Sequence, residues 1–309
     1  MLPEEIRTRL GLLLRRPLLH QASQWSPPPK DLEALAPGEV IEESCGVFYR
    51  IRREVSLGTA HDARGNALPC RAEIGKAAEH PDLESFESAF PSRVLYMDLE
   101  TCGFSGSSLF LIGLLRFMEG KPVVEQLLAR DYSEESAVLA HFWKLLPAYE
   151  VLVTFNGKAF DWPFVRDRST ALRLGHGSSR AGQQLGQRGD PAPATFQLGP
   201  VAHLDVLHFA RRLWKKEFSL PNCRLQTLES ALCRRRRYGD IPGHMIGEAY
   251  HAFIRSGDAR RLKQVLHHNL VDLLTLAELS LFLIPRAAGE PAPVPSQASD
   301  SPLDPTVLG

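Results

Sequence analysis

Three apolar runs follow one another from Arg93 with little between them. Val94–Asp98 (VLYMD) is short and nearly all apolar, the pattern of a central strand buried on both faces. Ser108–Phe117 (SLFLIGLLRF) and Val123–Arg130 (VVEQLLAR) predict two more strands, and the break MEGK between them predicts a hairpin turn. Ser133–Leu146 then begins SEESAVL, a capping serine followed by early acids, and predicts a helix. It returns the chain to Val151–Phe155 (VLVTF), another buried strand, and Phe160–Leu174 follows as a helix. Meandering strands, a returning helix and then mostly helices favour an α/β fold with a mixed central β-sheet flanked by helices, rather than a purely parallel doubly wound sheet.

The flanks have a different texture. Residues 1–20 carry Leu2, Ile6, Leu10, Leu13 and Leu14 at helical spacing, which predicts a short amphipathic helix, and Gln24–Lys30 (QWSPPPK) predicts a stiff linker. Glu39–Leu57 alternates and is β-branched, as one or two short strands would be. Arg173–Pro200 is rich in Gly, Ser, Gln and Pro and reads as a long flexible insertion. The fold resumes at His203–Leu207 and runs helically to Asp258–Ile284, the longest periodic helix. The expected organisation is an N-terminal appendage over 1–90, a domain over 91–286 with the insertion at 173–200, and a disordered tail over 287–309.

Charge excludes two classes of function. Lys and Arg number 36 and so do Asp and Glu, so the formal charge is zero. A binder that relies on bulk positive charge is excluded, and so is an acidic solvating tail. The five cysteines are odd in number and contain no C-x-x-C, which points to a reducing compartment. No secretory signal is evident, and the longest apolar runs fall far short of the roughly 20 residues of a membrane span. A soluble cytoplasmic protein without a membrane partner is the expectation.

Chemistry concentrates on acids. Asp98 and Glu100 end the first core strand two residues apart, so period-2 alternation points both to one face. Like charges so placed repel unless a cation lies between them; otherwise the strand simply ends there and both acids are solvated. Asp161 falls in the first turn after Val151–Phe155, where the helix dipole alone would favour a carboxylate. Its neighbours Phe160, Trp162 and Phe164 are large and apolar, however. Asp272 is the least ordinary, because Leu266, Leu270, Val271, Leu273, Leu274 and Leu276 make its helix apolar nearly all round. A lone buried carboxylate costs several kcal/mol unless it is paired or metal-bound, and a salt bridge to one of the arginines is the alternative. At about 100° per residue, His268 lies roughly 40° from Asp272 round a continuous helix and His267 roughly 140°; a break before Asn269 would reverse that order. Oxygen donors without cysteine suit two divalent cations, Mg²⁺ or Mn²⁺, able to clamp the attacking and leaving oxygens of a phosphoryl transfer. A nearby histidine is then placed to act on water as general base.

These residues carry a family likeness. D98-L-E100, N156-x3-F160-D161 and H268-x3-D272 resemble, in order, the three exonuclease motifs of the DEDD superfamily. D-L-E-T-C-G-F-S-G, V-E-Q-L-L-A-R-D-Y, F-N-G-K-A-F-D-W-P, L-Q-T-L-E, G-D-I-P-G and H-N-L-V-D-L-L-T-L are similar to the YprB-type ribonuclease H-like domain over about 93–283. The resemblance implies a ribonuclease H-like fold and metal-dependent 3′→5′ exonucleolysis of single-stranded DNA or RNA at a 3′ end. It implies that Asp98, Glu100, Asp161 and Asp272 bind the metals and that His268, or His267, acts on water. Asp205 matches the same text as a supporting residue. Asn156, Lys158, Arg234 and Arg235 are candidate nucleic-acid contacts, the arginines from the run Arg234–Arg237. A non-catalytic nucleic-acid-binding scaffold and a structure-specific endonuclease would use the same fold.

Overall fold

The computed structural model of the protein describes residues 31–57, 80–103, 106–174 and 202–283. The N-terminal helix and linker, all but the first two residues of the 173–200 insertion, and the tail over 287–309 lie outside the described residues. Among the described residues one mixed sheet has the order β1-β2-β5-β4-β3-β6-β7. The strands are β1 (Glu39–Glu43), β2 (Gly46–Glu54), β3 (Val94–Thr101), β4 (Leu109–Met118), β5 (Lys121–Leu128), β6 (Val151–Thr154) and β7 (Ala202–Asp205).

The meander β3–β4–β5 is antiparallel, as the apolar runs predict. The turn at MEGK closes on Met118 opposite Lys121, with Glu119 and Gly120 both at positive φ. That handedness matches the twist of the flanking strands. β6 and β7 add parallel to β3, which makes the sheet mixed. On the other side the hairpin β1–β2 pairs with β5, so the chain before residue 90 contributes two strands to the same sheet.

The helices among the described residues are α1 (Leu32–Leu35), α2 (Pro81–Ala89), α3 (Glu135–Leu145), α4 (Asp161–Ala171), α5 (Val206–Phe209, continued by a wide π turn over Ala210–Trp214 and a last helical turn Lys215–Glu217), α6 (Leu225–Leu228), α7 (Ile246–Ser256) and α8 (Arg260–Leu281), besides short tight turns. The start of α3 corrects one expectation. Its entry is capped by Asp131, whose Oδ1 accepts the Ser133 amide at 2.8 Å and the Ser133 hydroxyl at 2.5 Å, and a short tight turn over Tyr132–Glu134 precedes the helix. The aspartate two residues upstream outcompetes the serine because one carboxylate oxygen accepts both the Ser133 amide and its hydroxyl, which leaves the serine a donor rather than the cap.

Cross-strand partners share a face. Asp98, Gly113, Gln126 and Ile51 stand in one row across β3, β4, β5 and β2. α8 covers that face, and α3 covers the other, where His141 packs on Phe48. Buried side chains fall into two groups, one around Phe110, Phe142 and Tyr250 and one around Tyr96, Trp214 and Leu276. None of the helices among the described residues is long and apolar enough to cross a membrane.

Candidate functional site

β3 delivers the first two acids. The row across the sheet puts Asp98 opposite Gly113, and Glu100 two residues on lies opposite Leu111 on the same face. A bulge between Glu100 and Thr101 ends the regular pairing just beyond them. Asn269 of α8 donates through Nδ2 to the Asp98 carboxylate at 2.9 Å and lies 3.3 Å from its carbonyl oxygen. Gln126 donates to Asn269 Oδ1 at 3.0 Å and to the Leu266 carbonyl at 2.7 Å, so the amide ladder Gln126–Asn269–Asp98 ties α8 to the sheet. Only glycine fits beneath it: a Cβ on Gly113 would lie 2.1 Å from Asn269 Oδ1.

Asp161 arrives by a different device. After β6 the chain turns at Asn156, whose φ of 64° is the left-handed conformation asparagine tolerates. Gly157 follows because a Cβ there would meet Thr154 Oγ1 at 2.3 Å. The buried Asp205 holds this turn, accepting the amides of Asn156 at 2.8 Å, Lys158 at 3.1 Å and Leu207 at 3.1 Å. Asp161 is then the first residue of α4.

α8 is continuous through its two histidines, so Asp272 and His268 stand one turn apart on one side, with His268 Nε2 3.4 Å from Asp272 Oδ2. His267 points elsewhere, its Nδ1 buried without a hydrogen-bond partner. Burial pushes the His267 ring down, whereas His268 is held above its usual value: burial opposes this, but the Asp240 hydrogen bond and the Asp272 and Asp240 charges outweigh it.

The four acids feel one another. Asp98 is raised well above the carboxylate range, first by burial and then by the negative charges of Asp272 and Asp161. Glu100 is raised by burial and by Asp98, Asp272, Asp161 and Asp240. Burial carries Asp161 to about 7, with Asp205 adding to the effect and the backbone N–H groups of Asp161 and Leu99 opposing it. Three chain segments thus converge on one buried, electronegative place.

A second group faces Asp272, and sequence reasoning did not anticipate its members. Arg237 Nη2 stands 2.5 Å from Asp272 Oδ1 and 2.5 Å from Glu229 Oε2, and Nη1 stands 3.2 Å from Asp240 Oδ2. Asp240 in turn binds His268 Nδ1 at 2.8 Å through its other oxygen. The salt-bridge alternative for Asp272 is therefore realised, and Arg237 is its partner. Within Arg234–Arg237 the side chains alternate: Arg234 and Arg236 are exposed, Arg235 donates to Thr275 at 2.9 Å and Glu278 at 2.6 Å, and Arg237 turns into the site. Lys158 is exposed and pairs with Asp82 at 2.7 Å. Glu229 ends the stretch L-Q-T-L-E, Asp240 is the acid of G-D-I-P-G and Asn269 stands in H-N-L-V-D, so these residues lie in the family-like text, but no spacing ties them to the four acids. Asn269 is a fully buried amide inside an apolar helix, and Asp240 follows a turn-forming Gly239.

The donors suit a hard divalent cation in kind, being carboxylates with no thiolate among them. Asp272 Oδ1 is buried and accepts no hydrogen bond, its contact with Arg237 being an ion pair without hydrogen-bond geometry. A divalent cation would offset the mutual repulsion of the acids, but at Asp272 it would have to displace Arg237, which already supplies positive charge there. Among the described residues no group of three or more His, Cys, Asp or Glu side chains is arranged, as it stands, so that it could hold a metal ion, and Arg237 is the cation beside Asp272.

A family model of the RNase_H superfamily (RNase_H_2) matches residues 95–283. The chain belongs to the ribonuclease H superfamily. The likeness to the YprB-type ribonuclease H-like domain is also borne out: "Uncharacterized protein YprB" of Bacillus subtilis (strain 168) is 33% identical over 202 residues, covering 64% of this chain and 44% of that protein. The chain thus spans less than half the length of this relative. Among solved structures, the family B DNA polymerase of Pyrobaculum calidifontis matches at a TM-score of 0.42 with 19% identity, over 62% of this chain and 24% of that one. That likeness is too distant to bear on function. The ribonuclease H superfamily match runs from β3 through the end of α8, so it contains all four acids and His268.

Proposed function

We propose that the protein is a metal-dependent nuclease, a 3′→5′ exonuclease acting on single-stranded DNA or RNA. The observation that carries this reading is the convergence of Asp98, Glu100, Asp161 and Asp272, from β3, the start of α4 and α8, on one buried place where each raises or is raised by another. Folding tolerates such repulsion where function needs it, since clustered perturbed acids mark chemical sites. In this reading the four carboxylates would hold two divalent cations, Mg²⁺ or Mn²⁺. Such ions would supply positive charge for the scissile phosphate and for the water that attacks it. His268 faces Asp272 and takes the proton of that water; Arg234 and Arg236, both exposed, contact the phosphate backbone of the strand beyond the scissile bond. Lys158 and Asn156 lie on the turn leading to Asp161 and add contacts there, whereas Arg235 serves through its tie to Glu278.

The test is hydrolysis of 5′-labelled DNA and RNA oligonucleotides with Mg²⁺ or Mn²⁺, reading product lengths against an Asp98→Ala control. A ladder shortening from the 3′ end supports exonucleolysis, and defined internal cuts would make the protein an endonuclease. No cleavage, or equal cleavage by the control, removes the reading.

One observation favours a second reading, a non-catalytic nucleic-acid-binding scaffold on the same fold. The Arg237 guanidinium already neutralises Asp272, so one acid has a counter-charge without metal. Calorimetric titration with Mn²⁺ separates the two: heat that disappears in Asp272→Asn supports the enzyme, and no binding supports the scaffold.

A further inference from the structure

Asp240 sits where the chain between α6 and α7 turns into the site. α6 runs on into a wide π turn over Glu229–Cys233 and stops at Arg234 in the left-handed conformation. Gly239, at φ 69°, then allows the reversal that presents Asp240 inward, and the next residue, Ile241, is buried and pins it there. Both Asp240 oxygens are used. Oδ1 lies 2.8 Å from His268 Nδ1, and Oδ2 takes Arg237 Nη1 at 3.2 Å, with Gln226 Nε2 at 3.5 Å. The opposite edge of the same imidazole faces Asp272, Nε2 to Oδ2 at 3.4 Å.

A ring nitrogen bound to a carboxylate carries a hydrogen, and the plane and tautomer of the ring follow from that bond. We infer that Asp240 is a positioning residue for His268: it holds the hydrogen on Nδ1 and turns Nε2 toward Asp272 and the water it would serve. Arg237 fixes the far oxygen of Asp240, so the carboxylate cannot rotate away from the ring. The inference rests on the nuclease reading above, since it assigns to His268 the partner that a proton-accepting imidazole needs. Partners of this kind, acting through another residue, typically contribute 10- to 100-fold to activity, by analogy with the outer-shell groups of metal sites.

The experiment is a double-mutant cycle with an independent spectroscopic arm. Asp240→Asn lowers kcat about 10- to 100-fold with KM little changed, and in a His268→Ala background it lowers kcat no further. Equal losses in both backgrounds, or wild-type kcat in Asp240→Asn, overturn the inference. Thermal unfolding of each variant establishes that it is folded. Two-bond ¹H–¹⁵N correlation of the His268 ring in the full chain reads the pairing without activity: the wild type places the hydrogen on Nδ1 and Asp240→Asn loses that preference. An unchanged ring signature overturns the pairing. A wild type that cleaves no oligonucleotide but shows the Nδ1 signature overturns the nuclease reading while leaving the Asp240–His268 pairing established.

Discussion

Arg237 is the residue on which the local electrostatics turn. Its side chain is 9% exposed and that of Glu229, its firmest partner, 1% exposed. Burial works against the guanidinium's charge, but Asp272 and Glu229 hold it above its ordinary value. Breaking a buried pair by removing one member is costly because the other charge is left behind. Arg237→Leu leaves Glu229 and Asp272 without their cation, and the expected cost is about 3–5 kcal/mol, measured by urea unfolding of the metal-free protein. A loss below about 1 kcal/mol would mean the pair is solvent-screened after all. Asp98 behaves in the opposite sense. Its carboxylate is buried among other acids, and Asn at 98 keeps an oxygen to accept from Asn269. Asp98→Asn should therefore raise the melting temperature in chelator at neutral pH while Mn²⁺ binding falls, the exchange of stability for function expected at a strained site. A variant that melts lower than wild type in chelator would show that Asp98 is not strained by its neighbours.

At the scale of elements, the junction of α8 with the sheet decides the site. Gly113 on β4 leaves the space that Asn269 fills, and the amide ladder to Gln126 and Asp98 replaces what would otherwise be apolar packing. Gly113→Ala inserts a methyl group into that space and must push α8 outward. About 1–3 kcal/mol of destabilisation is expected from overpacking alone, and Mn²⁺ affinity should fall because Asp272 rides on the displaced helix. Urea unfolding and calorimetry on the same sample check both parts, and unchanged metal affinity would show that the helix gives way elsewhere. The apolar meander, the hairpin at Met118–Lys121 and α8 are legible because each rests on local pattern: apolar runs, turn chemistry and period. The cap of α3 is not legible in this way, because Asp131 and Ser133 both suit the entry to a helix and only the placement of the chain shows which accepts.

Over the whole molecule the buried acids set the response to pH. Asp98, Glu100 and Asp161 hold protons more tightly in the fold than in the unfolded chain, so the folded state binds more protons once pH exceeds the ordinary carboxylate range. Stability then falls as pH rises, through about 7 for Asp161. His268 acts in the same direction: its contribution is present below its ordinary value and is lost as pH rises through the elevated one. Asp240 runs the other way. Burial alone would raise it, but His268 and Arg237 outweigh burial and depress it, so its contribution is lost on acidification. His203, carried down to about 4 chiefly by burial, and His267, lowered by burial, also run the other way and gain stability as pH rises toward about 6.5. Above that value the raised acids and His268 dominate, so the melting temperature in chelator should fall from about pH 7 to about pH 8, and Mn²⁺ should flatten that fall by taking the place of the protons. A melting temperature that rises over this range would contradict the assignment of the raised groups.

Zero net charge takes its meaning at this same scale. Equal numbers of basic and acidic residues exclude a bulk cationic surface, but several of the acids are gathered in one buried place and the arginines of the 234–237 run alternate between solvent and interior. Local pattern alone sets most of the elements and the spacing of the carboxylates: two residues apart on a strand puts Asp98 and Glu100 on one face, and one helical turn puts His268 beside Asp272. Those relations are local, and strand and helix geometry dictate them. Long-range packing is what sets Arg237 against Asp272, brings Asp240 to His268 Nδ1 from 28 residues away, and lets Asn269 reach Asp98 across 171 residues. No periodicity encodes such pairings. They arise where packing brings buried polar groups together, and where each must find a partner or remain at a cost in the interior.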